Sequence, residues 1–304
     1  MLRVKVKESD NSGESLIDVS VIIPTYRDWE RLNLCLLGLK KQNFPSSKFE
    51  IIVVNNDPYD PKPDFVEASG CKIIEEKTPG SYAARNAGMK IANGDIYAFT
   101  DSDCIPDPNW IKEGLKEMKN SKVSRVGGKI KLFRPENGSY FAFVYEKYLA
   151  FQQERNVKVF KKSVTGNFFA KKHLFEQFGA FDEKLMSGGD FYWNLRLSEF
   201  GEKISFAEMA VINHPSRTSL SEIAFKKKRT ISGYYRETFT RLKFGKKLLT
   251  LLKRLMPPIN RINHIEFEST KDYFQVLIIR WYVESVGVMH LIKLQWASIR
   301  NKNI

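Results

Sequence analysis

Two carboxylates one residue apart, Asp101 and Asp103, close a short apolar run from Ile96 to Thr100. That run has the length and residue types of a buried strand. Pro106, Asp107 and Pro108 then force a turn, and Trp110 opens a new periodic segment. In open α/β sheets, ligands bind outside the carboxyl ends of the strands. Paired carboxylates at such a place are hard oxygen ligands suited to Mg²⁺ or Mn²⁺, and the ion can in turn hold phosphates. An isolated Asp-x-Asp is also common as a plain solvated turn, so its meaning depends on the elements around it.

Those elements alternate. Val19 to Pro24 is a continuous β-branched run, as expected of a parallel strand buried on both faces. Leu32, Leu36, Leu37 and Leu39 follow at helical spacing. Phe49 to Val54 and Cys71 to Glu75 read as strands, and Gly80 to Ala92 as a loop entering a small-residue helix. Further strands are expected at Gly127 to Phe133, Thr165 to Ala170, Ile204 to Ala207 and Ala210 to Ile212, with a helix over Phe141 to Gln152. Strand and helix in alternation, with polar residues at the strand ends, predict a doubly wound α/β fold. The segment after the first strand, PTYRDW, has neither a dinucleotide fingerprint nor a P-loop, which argues against a dehydrogenase or kinase.

The 304 residues allow one large or two small domains. The net charge of +14 implies an anionic partner: nucleotide phosphates, nucleic acid or an anionic membrane surface. Three scattered cysteines show no metal spacing and fit a reducing compartment. The polar N-terminal residues have no apolar core of a signal peptide, and the sequence contains no unbroken apolar run of spanning length. Residues 1–17 read as a polar arm.

In order along the chain come VSVIIPTYRDWERL, IIVVNNDPYD, GSYAARNAG, FTDSD, TGNFFAKKHLFEQFGAFDEKL, GGDFYWNLRL and NHPSR. This succession resembles the family 2 glycosyltransferases over about residues 18–218. The resemblance implies a GT-A fold: a Rossmann-like, mostly parallel sheet with helices on both faces. It implies an inverting, metal-dependent transfer from a nucleotide-diphosphate sugar, with UDP as the expected nucleotide. Pro24, Thr25, Tyr26 and Asn56 would then bind the base. Asn56 stands where family members often carry an Asp, and offers a donor and an acceptor without charge. Arg85 and Arg217 would reach the diphosphate, and Asp101 and Ser102 the ribose side. Asp103 would be the direct ligand of Mn²⁺ or Mg²⁺, with His214 as a second ligand or a phosphate donor. Asp190 would be the catalytic base, with Asp182 and Glu183 as its nearby competitors. Family members usually have Glu-Asp at this point, and here Gly189 replaces the Glu. Trp193 and Arg196 are expected in core packing and a salt bridge.

Residues 219–304 change character to a basic, helical extension. From Glu222 to Arg261, twelve Lys and Arg face two Glu, with Tyr234, Phe239, Leu249 and Leu252 at helical spacing among them. A basic amphipathic helix of this kind reads as a membrane-surface element. Phe274 to Trp296 is apolar but interrupted by Arg280, Glu284, His290 and Lys293, so it is expected to lie on a bilayer or pack on a partner. The expected location is cytoplasmic, peripheral on the inner face of the cell membrane, with a glycan or lipid-linked acceptor. Two other readings compete. A nucleic-acid-binding protein would use the basic tail, but strand-end carboxylates repel phosphate unless a metal intervenes. A sugar nucleotidyltransferase would need a glycine-rich basic loop after the first strand, which is absent.

Overall fold

The structure, a computed structural model, describes residues 17–300, so the expected N-terminal arm lies, but for its last residue, outside the described residues. Eight strands form one mixed sheet: β1 (Val19–Thr25), β2 (Phe49–Asn55), β3 (Lys72–Glu75), β4 (Ile96–Thr100), β5 (Ile105–Pro106), β6 (Arg125–Phe133), β7 (Asn167–Lys171) and β8 (Ile204–Pro215). Their order across the sheet is β3-β2-β1-β4-β7-β6-β8-β5. The first four are parallel, β7 runs antiparallel to β4 and β6, and β6 pairs with β8 in parallel. Eleven α-helices and three single-turn 3₁₀ helices accompany the sheet among the described residues. The α-helices are α1 (Trp29–Lys40), α2 (Asp64–Ala68), α3 (Ser81–Lys90), α4 (Trp110–Asn120), α5 (Tyr140–Leu149) and α6 (Gln153–Lys158). Then come α7 (Lys172–Phe178), α8 (Gly189–Glu199), α9 (Leu220–Glu237), α10 (Phe244–Leu255) and α11 (Thr270–Arg300).

Strand periodicity splits the core into two layers. Val19, Val21 and Ile23 of β1 point to one face, against Leu32, Leu36 and Trp110. Ile22 points to the other, against Ala84, Ala87, Phe99 and Trp193. A Cβ on Gly88 would lie 2.7 Å from Ile22, so the missing side chain is what lets α3 lie close against β1. Parallel register sets Thr25 beside Asn55 and Ile22 beside Phe99. The carboxyl ends of β1, β2 and β4 therefore open on one edge.

An aromatic cluster ties that edge to the second half of the chain. Phe99 packs on Phe168, Phe175 and Phe181, and Trp193 stacks on Phe175 at 4.3 Å. Each well-placed aromatic pair adds about 0.5–1.5 kcal/mol beyond its buried area. The cluster fixes β4, which leads into Asp101, against α8, which carries Asp190. Trp193 is buried as expected, but Arg196 donates to the Phe178 carbonyl and takes part in no salt bridge among the described residues. The two strands expected over 204–212 are one strand with an irregularity: pairing with β6 jumps from Ala207 to Val211.

The C-terminal helices pack on the α/β part of the chain. Ala142 of α5 meets Ile223 of α9 and Ile279 and Val283 of α11. Two of the side chains expected to enter a membrane are instead packed here: Phe239, 1% exposed, and Tyr234 join Ile231, Tyr235 and Leu291. The other two, Leu249 and Leu252 on α10, are exposed. α11 has 31 residues and, by length and composition, is long and apolar enough to cross a membrane. One side of it is buried in the protein, where Glu284 takes Lys227 at 2.6 Å and Arg254 at 3.2 Å.

Candidate active site

A cleft of about 1570 Å³ opens at the carboxyl edge of the sheet. It is lined by every residue expected of the site except His214 and Arg217: Pro24, Thr25, Tyr26, Asn56, Arg85, Asp101, Ser102, Asp103 and Asp190.

Beneath it, Asp101, Asp103, Cys104 and His214 bring their ligand atoms within 4.8 Å of one another. Strand β4 delivers the two carboxylates and β8 the imidazole. His214 Nδ1 donates to the Pro215 carbonyl at 2.6 Å, and Nε2 faces Asp103 Oδ1 at 3.6 Å. An imidazole nitrogen and a carboxylate oxygen at this separation can share one cation. Burial, with the negative charges of Asp101 and Asp28, pushes the Asp103 carboxyl above its ordinary range, against the pull of His214 and Arg31. The donor set of hard oxygens and imidazole thus fits Mn²⁺ or Mg²⁺. Cys104 differs: burial and the two aspartates push its thiol far up, so it stays protonated.

Arg85 is 3% exposed and grips Asp101 through a guanidinium N–H. Ser102 donates to Asp28 at 2.9 Å, fastening the loop before α1 to the Asp pair. Asn56 lines the cleft and bonds within the chain. Its amide donates to the Glu76 and Thr78 carbonyls, each at 2.8 Å, and accepts from the Gly80 amide at 2.7 Å. It braces the loop that starts α3, and both donors are taken. Arg217 departs from expectation. It pairs with the buried Glu146 of α5 and lies outside the cleft, so its charge is already matched.

Asp190 sits in the first turn of α8 and is 7% exposed. It is not the helix cap; Gly188 holds that position. Oδ1 accepts from the Tyr82 hydroxyl and the Phe191 amide, each at 2.9 Å. Oδ2 accepts from the Thr165 amide at 3.0 Å and the Thr165 hydroxyl at 3.5 Å. Burial and the Asp190 charge push the Tyr82 phenol upward, so it remains a donor. Asp182 and Glu183 do not line the cleft; Glu183 holds Asn86 at 2.9 Å. Tyr82 and Thr165 were missed in the sequence, although they lie within the GSYAARNAG and TGNFF segments.

The profile of glycosyl transferase family 2 matches residues 20–176, half the chain. The chain belongs to glycosyltransferase family 2. Glycosyltransferase AglE of Haloferax volcanii is 33% identical over 205 residues, covering 66% of this chain and 67% of its own length. A Methanococcus voltae dolichyl N-acetyl-α-D-glucosaminyl phosphate 3-β-D-2,3-diacetamido-2,3-dideoxy-β-D-glucuronosyltransferase is 24% identical, covering 70% of this chain and 71% of its own. The fold is shared with S. aureus TarS 1-349 solved with UDP, at TM-score 0.54 and 17% identity over 88% of this chain and 90% of that one. It is shared as well with the Pyrobaculum calidifontis mannosyltransferase PcManGT solved with GDP-Man and Mn²⁺, at TM-score 0.53 and 15% identity over 92% and 75%. This family 2 glycosyltransferase thus has the GT-A fold expected from its sequence, with the helical extension packed on it.

Proposed function

We propose that this glycosyltransferase is inverting and metal-dependent. It moves a sugar from a nucleotide-diphosphate sugar to a hydroxyl of a glycan or lipid-linked acceptor, in polysaccharide or glycolipid synthesis. The observation that carries the reading is that one cleft is lined both by the Asp101–Asp103 pair and by Asp190. Mn²⁺ or Mg²⁺, held by Asp103 and His214 with Asp101 beside them, would neutralise the diphosphate charge.

The chain's own residues do the rest. Pro24, Thr25 and Tyr26 receive the base at the end of β1, where the buried Thr25 hydroxyl has no partner among the described residues and the Tyr26 ring is exposed. Arg85 and Ser102 hold the Asp pair in place. Asp190 takes the proton of the acceptor hydroxyl as that oxygen attacks the anomeric carbon. Of its four donors the Thr165 hydroxyl is the most distant, and rotation of that hydroxyl frees a lone pair for the acceptor. The bond to the diphosphate breaks on the opposite face, the nucleotide keeps the electron pair, and one displacement inverts the configuration. UDP is the proposed nucleotide and GDP the second to test, since solved neighbours carry UDP and GDP-Man.

The proposed place of work is the inner face of a membrane with anionic lipid. On α10 the exposed Phe244, Leu248, Leu249 and Leu252 alternate with Lys246, Lys247 and Lys253, which supports this reading. Incubating the purified protein and Mn²⁺ with UDP-, GDP- and dTDP-sugars tests the activity. Binding and turnover of at least one are expected, and binding of none refutes the proposal.

A further inference from the structure

One wall of the cleft comes from outside the family-matched segment. Lys226, Arg229, Thr230 and Gly233 of α9 line it, at a spacing that puts them on one helical face. Other positions of α9 face inward: Ile231 and Tyr235 pack with Leu291, and Lys227 bonds Glu284 of α11 at 2.6 Å. Adjacent lysines therefore have separate roles, one internal and one turned to the cleft.

Lys226 Nζ stands 5.4 Å from the centre of the Phe151 ring. That ring packs at 4.5 Å on His214, whose Nε2 is 3.6 Å from Asp103. A single aromatic ring thus separates this ammonium from the Asp–His cluster. Other cations near the cluster are matched: Arg85 by Asp101, Arg31 by Asp28, Arg217 by Glu146. Among the described residues Lys226 and Arg229 take part in no ion pair. Burial, with Arg217 nearby, holds the Lys226 ammonium down to about 8. This half-buried cation faces the cleft with Glu146 and Asp101 acting on it only from beyond ion-pair distance, which leaves room for a closer anion.

We propose that Lys226 and Arg229 bind the diphosphate of the donor, so that the C-terminal helical region completes the active site. The proposal rests on the nucleotide-sugar reading above. As the bond between the anomeric carbon and the diphosphate breaks, its electron pair adds charge to the leaving oxygen, and cations held ready there stabilise that charge. Arg229, one turn along the same face, provides the second contact.

Calorimetry on the full chain with Mn²⁺ tests this, using UDP, GDP and their nucleosides. Lys226→Ala, Arg229→Ala, the double variant, Lys226→Arg and Lys228→Ala are compared with the parent, with the melting temperature as fold control. Diphosphate affinity should fall about ten- to hundredfold in the alanine variants, as expected for losing charge-assisted contacts. Nucleoside affinity should hold, Lys226→Arg should bind near the parent, and Lys228→Ala should match it. A double variant that binds the diphosphates as the parent does overturns this proposal alone. An equal loss for nucleosides overturns it too, since α9 would then only shape the cleft. A parent that binds no nucleotide overturns the nucleotide-sugar reading and this proposal with it.

Discussion

Asp190→Asn is the most informative single change. Oδ1 of the parent receives the Tyr82 hydroxyl and the Phe191 amide; Oδ2 receives the Thr165 amide and hydroxyl. An asparagine must put its NH₂ at one of the two positions. At Oδ1 it meets the Phe191 N–H, and at Oδ2 the Thr165 N–H. Either orientation sets donor against donor at a buried site, at a cost of about 1–3 kcal/mol. The melting temperature should therefore drop by roughly 2–12 °C, at about 2–4 °C per kcal/mol for a large domain. Turnover should fall much further, by about two to four orders of magnitude, the usual worth of a positioned general base. Donor affinity should stay near parental, because the residue acts on the acceptor. Calorimetry for donor binding and nucleotide release for turnover separate these effects. Near-parental turnover would refute the base assignment and return attention to Asp182 and Glu183. A loss of donor affinity as large as the loss of turnover would make Asp190 a donor ligand instead.

Three further outcomes are expected. Asp103→Ala should abolish metal-dependent nucleotide binding without lowering the melting temperature, since it removes a carboxylate that burial disfavours; unchanged Mn²⁺-dependent binding refutes the ligand role. Lys226 is charged below about pH 8 in the free protein and loses its charge above it, so UDP affinity should decline as pH rises through 8, and Lys226→Ala should lack that decline. Glu substitutions at Leu248 and Leu252 on α10 should release the protein from anionic liposomes in flotation at low salt, where each basic residue near the surface contributes about 1 kcal/mol; a parent that stays in the soluble fraction refutes the membrane reading. Truncation at Ser219 is not an equivalent test, because it removes α9 from the cleft as well as α10 from the surface.

Strands β1, β2 and β4 were legible because burial on both faces demands continuous apolar runs, and each ends in polar residues at one edge. That Asp101, Asp103 and Asp190 would line one cleft was legible because their neighbours follow the family pattern in order. The fate of a cation was not. Whether Arg217 faces a diphosphate or a carboxylate depends on Glu146, 71 residues earlier in an aromatic-rich helix. In the run Lys226-Lys227-Lys228, charge alone cannot say which lysine turns to the cleft, which to Glu284 and which to solvent. The same limit hid Phe239, whose spacing fits membrane insertion and internal packing equally well. The split reading of β8 had a physical source, because residues 208–210 bulge from the pairing with β6.

The close fit of Gly189 and Tyr82 links two positions that are 107 residues apart. A Cβ at 189 would lie 2.8 Å from the Tyr82 ring, so the glutamate usual at this point in the family has no room while the tyrosine stays. Moving the ring would also withdraw a hydroxyl from Asp190. Glutamate at 189 should thus be harmful while Tyr82 stays, and a small residue at 82 makes room for it only by taking a donor from Asp190. The bare glycine and the tyrosine therefore work as one unit, and neither position changes without a cost at Asp190.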